Sequence, residues 1–113
     1  MPTEFAKRAR GYFEDTTSTI AKLPLEKVDR IYRVLCDAYM SDHHVILMGN
    51  GGSAALASHF AVDLGKGTCA SGKPRFRVIS IVDNTPVMTA YANDFSYADV
   101  FSEQVRTLAR PGD

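Results

Sequence analysis

The chain has 113 residues, and its 13 Lys and Arg balance 13 Asp and Glu for a formal net charge of zero. That length allows one domain with one modest core, and the even charge excludes a polybasic nucleic-acid or membrane binder. No apolar run approaches a membrane span, the charged start MPTEFAKRARGYFEDTT has no signal core, and Cys36 and Cys69 form no CxxC and no disulfide framework, so a cytoplasmic protein with reduced thiols is expected.

From about Thr3 to Ala21 the spacing predicts a helix, with Phe5, Ala9, Tyr12 and Phe13 on one side and Ile20 extending the stripe. Gly11 and the run Thr16-Thr17-Ser18-Thr19 lower its propensity. Pro24 suits the first turn of a second helix, along which Leu25, Val28, Ile31, Tyr32, Leu35, Ala38 and Tyr39 recur at helical spacing. Asp29, Arg30, Arg33 and Asp37 fill much of the opposite face, so this amphipathic helix must dock on a surface. His44-Val45-Ile46-Leu47-Met48 is a continuous apolar run, which suits a strand buried on both faces of a parallel sheet. Gly49-Asn50-Gly51-Gly52-Ser53 follows and opens a helix rich in small residues, with Ser53 as its expected N-cap. Gly65-Lys66-Gly67 is expected to stop that helix, and Arg75 to Val82 forms a second buried strand. Asn84-Thr85-Pro86 offers a cap and a first-turn proline for a short helix through Tyr91, broken by Asn93-Asp94. Ser96 and Asp99 resemble a capping box opening a last helix, with Val100, Phe101, Gln104, Val105 and Leu108 inward and Pro111-Gly112 at its end. Met48 and Met88 read as core, and Tyr91 as packing.

The order is therefore α-α-β-α-β-α-α, with a right-handed crossover between two parallel strands. Complete doubly wound domains carry about five or six strands. Two strands make an incomplete sheet, to be finished by further chain or by another copy.

The strand–glycine loop–helix junction is the main chemical signal. Glycines let a ligand approach the backbone, and a helix N-terminus favours phosphate or another anion. Gly49-Asn50-Gly51-Gly52-Ser53-Ala54 also satisfies G-x-G-x-x-A, the dinucleotide fingerprint, with Asp83 as the acidic residue near the end of the second strand. A merely tight βα turn is the third reading. No Lys-Ser/Thr follows the loop, which excludes a P-loop. On the next helix His59 and Asp63 are four apart and share a face. They can ligate a divalent metal, act as an acid–base pair, or simply hydrogen bond on the helix surface. Two ligands are one short of the three that a catalytic zinc needs.

GNGGSAALASHFAVDL followed by RVISIVDNTPVMTAYANDFSYADVFSEQV resembles the first half of a sugar isomerase (SIS) domain of the phosphoheptose isomerase type. The resemblance runs from about Val45 to the last residue, and the two N-terminal helices are similar to that family's dimerising helices. It implies an α/β fold in which a helical pair (residues 1–41) precedes the first βαβ half of a flavodoxin-like parallel-sheet domain (42–113). It also implies a homo-oligomer, a dimer or tetramer with sites between subunits. The implied reaction converts sedoheptulose 7-phosphate to D-glycero-D-manno-heptose 7-phosphate, a precursor of bacterial surface heptose. Asn50, Gly51, Gly52 and Ser53 would contact the sugar phosphate, and Asn93 and Asp94 the sugar chain. His59 matches a zinc ligand. Asp63 stands where the family usually has Glu, which is both metal ligand and base. Within these residues the family's Ser/Thr-rich phosphate loop, its Gln and its second His have no counterpart, and His43 and His44 do not match that His by motif. The zinc site is thus expected to be incomplete. The alternative is a non-catalytic SIS module that binds a sugar phosphate or a protein partner, as in relatives that bind the bacterial replication initiator.

Overall fold

The computed structural model describes all of residues 1–113. Its backbone divides into two compact units, Met1–Arg33 and Val34–Asp113.

The first unit contains α1 (Glu4–Ala21) and the start of α2 (Leu25–Met40). The Thr3 hydroxyl caps α1 by accepting from the Ala6 amide at 3.2 Å. The threonine-rich run stays helical because Thr16, Thr17 and Thr19 donate back to the carbonyls of Tyr12, Phe13 and Asp15 at 2.8–2.9 Å. Pro24 stands one residue earlier than expected, at the cap, where its carbonyl accepts from the amides of Lys27 and Val28. The predicted apolar stripe is present but uncovered: Phe5, Tyr12, Phe13 and Ile20 are all exposed.

In the second unit, the last turns of α2 pack on the sheet region. The Tyr39 hydroxyl donates to the Pro74 carbonyl at 3.0 Å, and its ring lies 4.8 Å from that of Phe76. These contacts join the C-terminal part of α2 to the second unit. Asp42 takes a left-handed φ of 55° to turn the chain into β1 (His44–Leu47), and its carboxylate pairs with Arg77 at 2.9 Å. β1 pairs in parallel with β2 (Arg77–Ser80), His44 opposite Arg77 and Leu47 opposite Ser80. Both strands are shorter than the apolar runs, and they are half-buried rather than enclosed on both faces. Each spans only four residues, and α3 (Gly52–Val62) contacts both strands.

The connecting helix also departs from expectation at both ends. α3 starts at Gly52, with Gly51 in the cap position, so Ser53 lies inside the first turn and makes no cap bond. Gly65-Lys66-Gly67 does not stop the helix. It widens into a π-helical turn over Asp63–Gly67, closed by the Thr68 hydroxyl on the Leu64 carbonyl at 2.6 Å. Asn84 caps α4 (Thr85–Asp94) as predicted, its side chain accepting from Val87 at 3.2 Å. α4 runs on through Asn93-Asp94, whose side chains bond to each other at 2.9 Å instead of breaking the helix. The Ser96–Asp99 box forms in part: the Ser96 hydroxyl donates to the Asp99 carboxylate at 2.6 Å, and a 3₁₀ turn leads into α5 (Val100–Leu108).

The core is small. Ala57, Leu64, Ile81 and Val100 are buried, joined by Gln104, whose amide nitrogen donates to the carbonyls of Ile81 at 3.1 Å and Val100 at 2.9 Å. Met88 is half-buried, its sulfur accepting from the same nitrogen, whereas Met48 and Leu108 are exposed, contrary to their predicted burial. Beyond α5 the turn Arg110–Asp113 folds onto β1. The Asp113 carboxylate accepts from the His44 amide at 2.7 Å and the Arg110 amide at 2.8 Å.

Candidate functional site

The junction between β1 and α3 is a hydrogen-bonded turn, with the Asn50 carbonyl accepting from the Ser53 amide at 2.9 Å. Gly51 has φ 54° and ψ −122°, the torsions of the first central position in a type II′ turn, where a side chain is strained. Gly49 is required for a different reason: a Cβ there would lie 2.5 Å from the Ser53 carbonyl oxygen. The turn's own bonds use the amides of Ser53, Ala54 and Ala55, and none uses the amide of Gly51 or Gly52. Those two N–H groups sit at the positive end of α3, on an exposed segment, in an arrangement suited to an anionic oxygen.

Side-chain bonds tie this turn and the helix behind it to the ends of other elements. The Tyr97 hydroxyl, from the 3₁₀ turn before α5, donates to Asn50 Oδ1 at 2.7 Å. Ser58, one and a half turns into α3, donates to the Asp83 carboxylate and lies 3.4 Å from the Ser80 hydroxyl. Asp83, the acidic residue on which the dinucleotide reading relies, is thus engaged by α3. Neither Tyr97 nor Ser58 stood out in the sequence. Tyr97 lies inside the Ser96–Asp99 cap, the one local signal that fixes its direction.

Asn93 and Asp94 make no hydrogen bond to the glycine turn. Asp94 lines a cavity of about 450 Å³ formed with Ile79, Asn84, Val87 and Tyr91, and Tyr97 three residues later supplies the connection to Asn50. The Tyr91 ring packs 5.9 Å from that of Phe95, as a packing role requires.

His59 Nε2 and Asp63 Oδ2 face each other at 3.5 Å on the exposed side of α3. Two atoms bound to one tetrahedral zinc at about 2.0–2.2 Å lie about 3.3–3.6 Å apart. The pair therefore matches two ligand positions, while no group of three His, Cys, Asp or Glu is assembled. Cys36 and Cys69 are both free, and no helix is long and apolar enough to cross a membrane.

The profile of the SIS domain matches residues 5–113. Among curated relatives, a probable phosphoheptose isomerase of Thermoplasma acidophilum is 41% identical over 105 residues, covering 93% of this chain and 57% of the relative. A phosphoheptose isomerase of Coxiella burnetii is 32% identical over 110 residues, covering 95% of this chain and 55% of the relative. The solved phosphoheptose isomerase of Neisseria gonorrhoeae superposes with a TM-score of 0.79 at 31% identity, over 95% of this chain and 56% of that one. That of Francisella tularensis superposes with a TM-score of 0.78 at 22% identity, over 94% and 56%, a likeness of fold alone. The chain spans about half the length of the curated relatives it matches. With the parallel strand pair, the glycine turn and a profile match over nearly every residue, the chain belongs to the SIS domain family.

Proposed function

We propose that this chain carries the sugar-phosphate-binding part of a phosphoheptose isomerase, acting on sedoheptulose 7-phosphate or a close relative. The observation that carries this reading is the β1–α3 turn, where the amides of Gly51 and Gly52 stay outside the turn's own hydrogen bonds beside the Asn50 side chain. Asn50, Gly51, Gly52 and Ser53 hold the anionic end, and Asn93 and Asp94 meet the sugar hydroxyls. Ketose–aldose exchange moves a proton between adjacent carbons through an enediol, so it needs a base and an acid on one substrate. Asp63 is the base in this assignment, and His59 with Asp63 would hold zinc, their 3.5 Å spacing supporting the pairing. When bound, the metal would polarise the substrate oxygens and stabilise developing negative charge. The exposed apolar stripes of α1 and α2 support a homo-oligomer, dimer or tetramer, and the free cysteines support a cytoplasmic setting.

The second reading, a non-catalytic SIS module that binds a sugar phosphate or a protein partner, draws on Asp63. One methylene less than Glu sets its carboxylate about 1–1.5 Å back, enough to cost orders of magnitude in rate.

Calorimetry with sedoheptulose 7-phosphate tests the binding site. The wild-type chain should bind, and Gly51→Val should abolish binding while the helical circular dichroism persists, because valine cannot hold φ 54° and would crowd the ligand's approach. Equal affinity in the two proteins would remove the turn from the site.

A further inference from the structure

We infer that Tyr97 is a positioning residue for the anion site: its hydroxyl fixes the rotation of the Asn50 carboxamide so that the two N–H bonds of Nδ2 face the ligand. This rests on the sugar-phosphate reading of the glycine turn.

An asparagine side chain has an accepting oxygen and a donating nitrogen in one plane. At the turn it can present either edge. Only the nitrogen edge helps to bind a phosphate oxygen, because the oxygen edge would set lone pair against lone pair. Tyr97 Oη donates to Asn50 Oδ1 at 2.7 Å, a normal distance for an O–H···O bond. With the oxygen taken by a donor, Nδ2 lies at the opposite edge of the carboxamide, pointing away from Tyr97. The carboxamide is thereby oriented before any ligand arrives, and the ordering cost on binding falls.

The position of Tyr97 is itself fixed. It opens the 3₁₀ turn Tyr97–Asp99, which is closed by the Ser96 hydroxyl on Asp99 at 2.6 Å and by the Asp99 amide on the Ser96 carbonyl at 3.1 Å. Val100, the next residue, is almost wholly buried, which anchors this turn to the core. A hydroxyl delivered from a capped turn 47 residues along the chain thus sets the donor edge of the residue at the centre of the glycine loop. Phenylalanine at position 97 would keep the ring and the fold and lose only this control.

The test is a double-mutant cycle read by calorimetry with sedoheptulose 7-phosphate, using the whole chain as wild type, Tyr97→Phe, Asn50→Ala and the double variant. Tyr97→Phe should weaken binding about two- to ten-fold in the wild-type background, the range of one hydrogen bond in an exposed setting. In the Asn50→Ala background the same change should do nothing further, since the group that Tyr97 acts through is gone. An equal loss in both backgrounds would overturn the inference. A second readout needs no ligand: the Asn50 side-chain amide resonances should move on Tyr97→Phe in the free chain, and resonances that stay in place would overturn it as well. If wild type binds no sugar phosphate, the functional reading fails, and the amide resonances still decide whether Tyr97 orients Asn50.

Discussion

Adding one methyl group at Gly49 should damage this chain, whereas adding it at Gly52, three residues away, should not. A Cβ on Gly49 would meet the Ser53 carbonyl oxygen at 2.5 Å, its carbon at 2.6 Å and the Ser53 Cβ at 2.8 Å. Two of these are backbone atoms of a residue whose amide is bonded to Asn50, so no side-chain rotation relieves the clash. The turn must open by about half an ångström, and overpacking of that kind costs about 1–3 kcal/mol. Gly52 heads α3 with no atom within 4 Å of its added Cβ and no positive φ. Alanine there should stabilise by about 0.4–1 kcal/mol by restricting the unfolded chain. For a domain of roughly 100 residues, 1 kcal/mol shifts the melting point by about 4–8 °C. Gly49→Ala should therefore melt at least about 4 °C below wild type, and Gly52→Ala at or slightly above it. Melting followed by circular dichroism checks both. A Gly49→Ala protein melting within about 1 °C of wild type would refute the close-approach argument.

Further outcomes are expected elsewhere in the chain. The backbone amides of His44 and then Arg110, with a smaller contribution from the His44 side chain, hold the Asp113 carboxyl below the usual carboxylate range. A lowered folded-state pKa gives stability that is complete above the ordinary value near ~3.9 and drains away as the pH falls through the folded value. The melting points of wild type and Asp113→Asn should differ at pH 6 and converge in acid, and a gap that stayed constant would exclude the linkage. Gln104→Leu should cost about 1–3 kcal/mol in urea unfolding by leaving the buried Ile81 carbonyl unpaired, and a loss under about 0.5 kcal/mol would mean water replaces the amide. In a coupled assay with zinc and sedoheptulose 7-phosphate, these 113 residues alone should turn over little or not at all, because Asp63 is the single matched base and the matched acid is missing. Turnover near about one per second that vanished in Asp63→Asn would refute that.

The order of elements is legible because the elements carry their own local signals: the stripe of α2, the run His44–Met48 and the cap at Asn84. The glycine turn could be read from composition, since few residues other than glycine tolerate the torsions of Gly51. Other features depended on contacts that no local pattern records. Gly65 and Gly67 looked like a stop, yet a wide helical turn accommodates glycine while Thr68 closes it. Asn93 and Asp94 looked like breakers, but their mutual bond satisfies them within the last turn of α4. The strands are half-buried although their runs are apolar, because an apolar run shows what a strand can bury, not what covers it. Tyr97 was silent because its partner Asn50 lies 47 residues away.

The parallel register has a consequence for the order of folding. Every residue of β1 meets a partner at a constant offset of 33 positions, from His44–Arg77 to Leu47–Ser80. Closing a loop of that length costs about 3 kcal/mol of chain entropy before the first sheet bond forms. Helix α3 and its wide last turn consist of local bonds that form without that closure. On the ribosome β1 is complete 33 residues before its partner, a short apolar segment with both edges open. During that interval the last turns of α2, already made, and then α3 are the surfaces able to shield it from other chains.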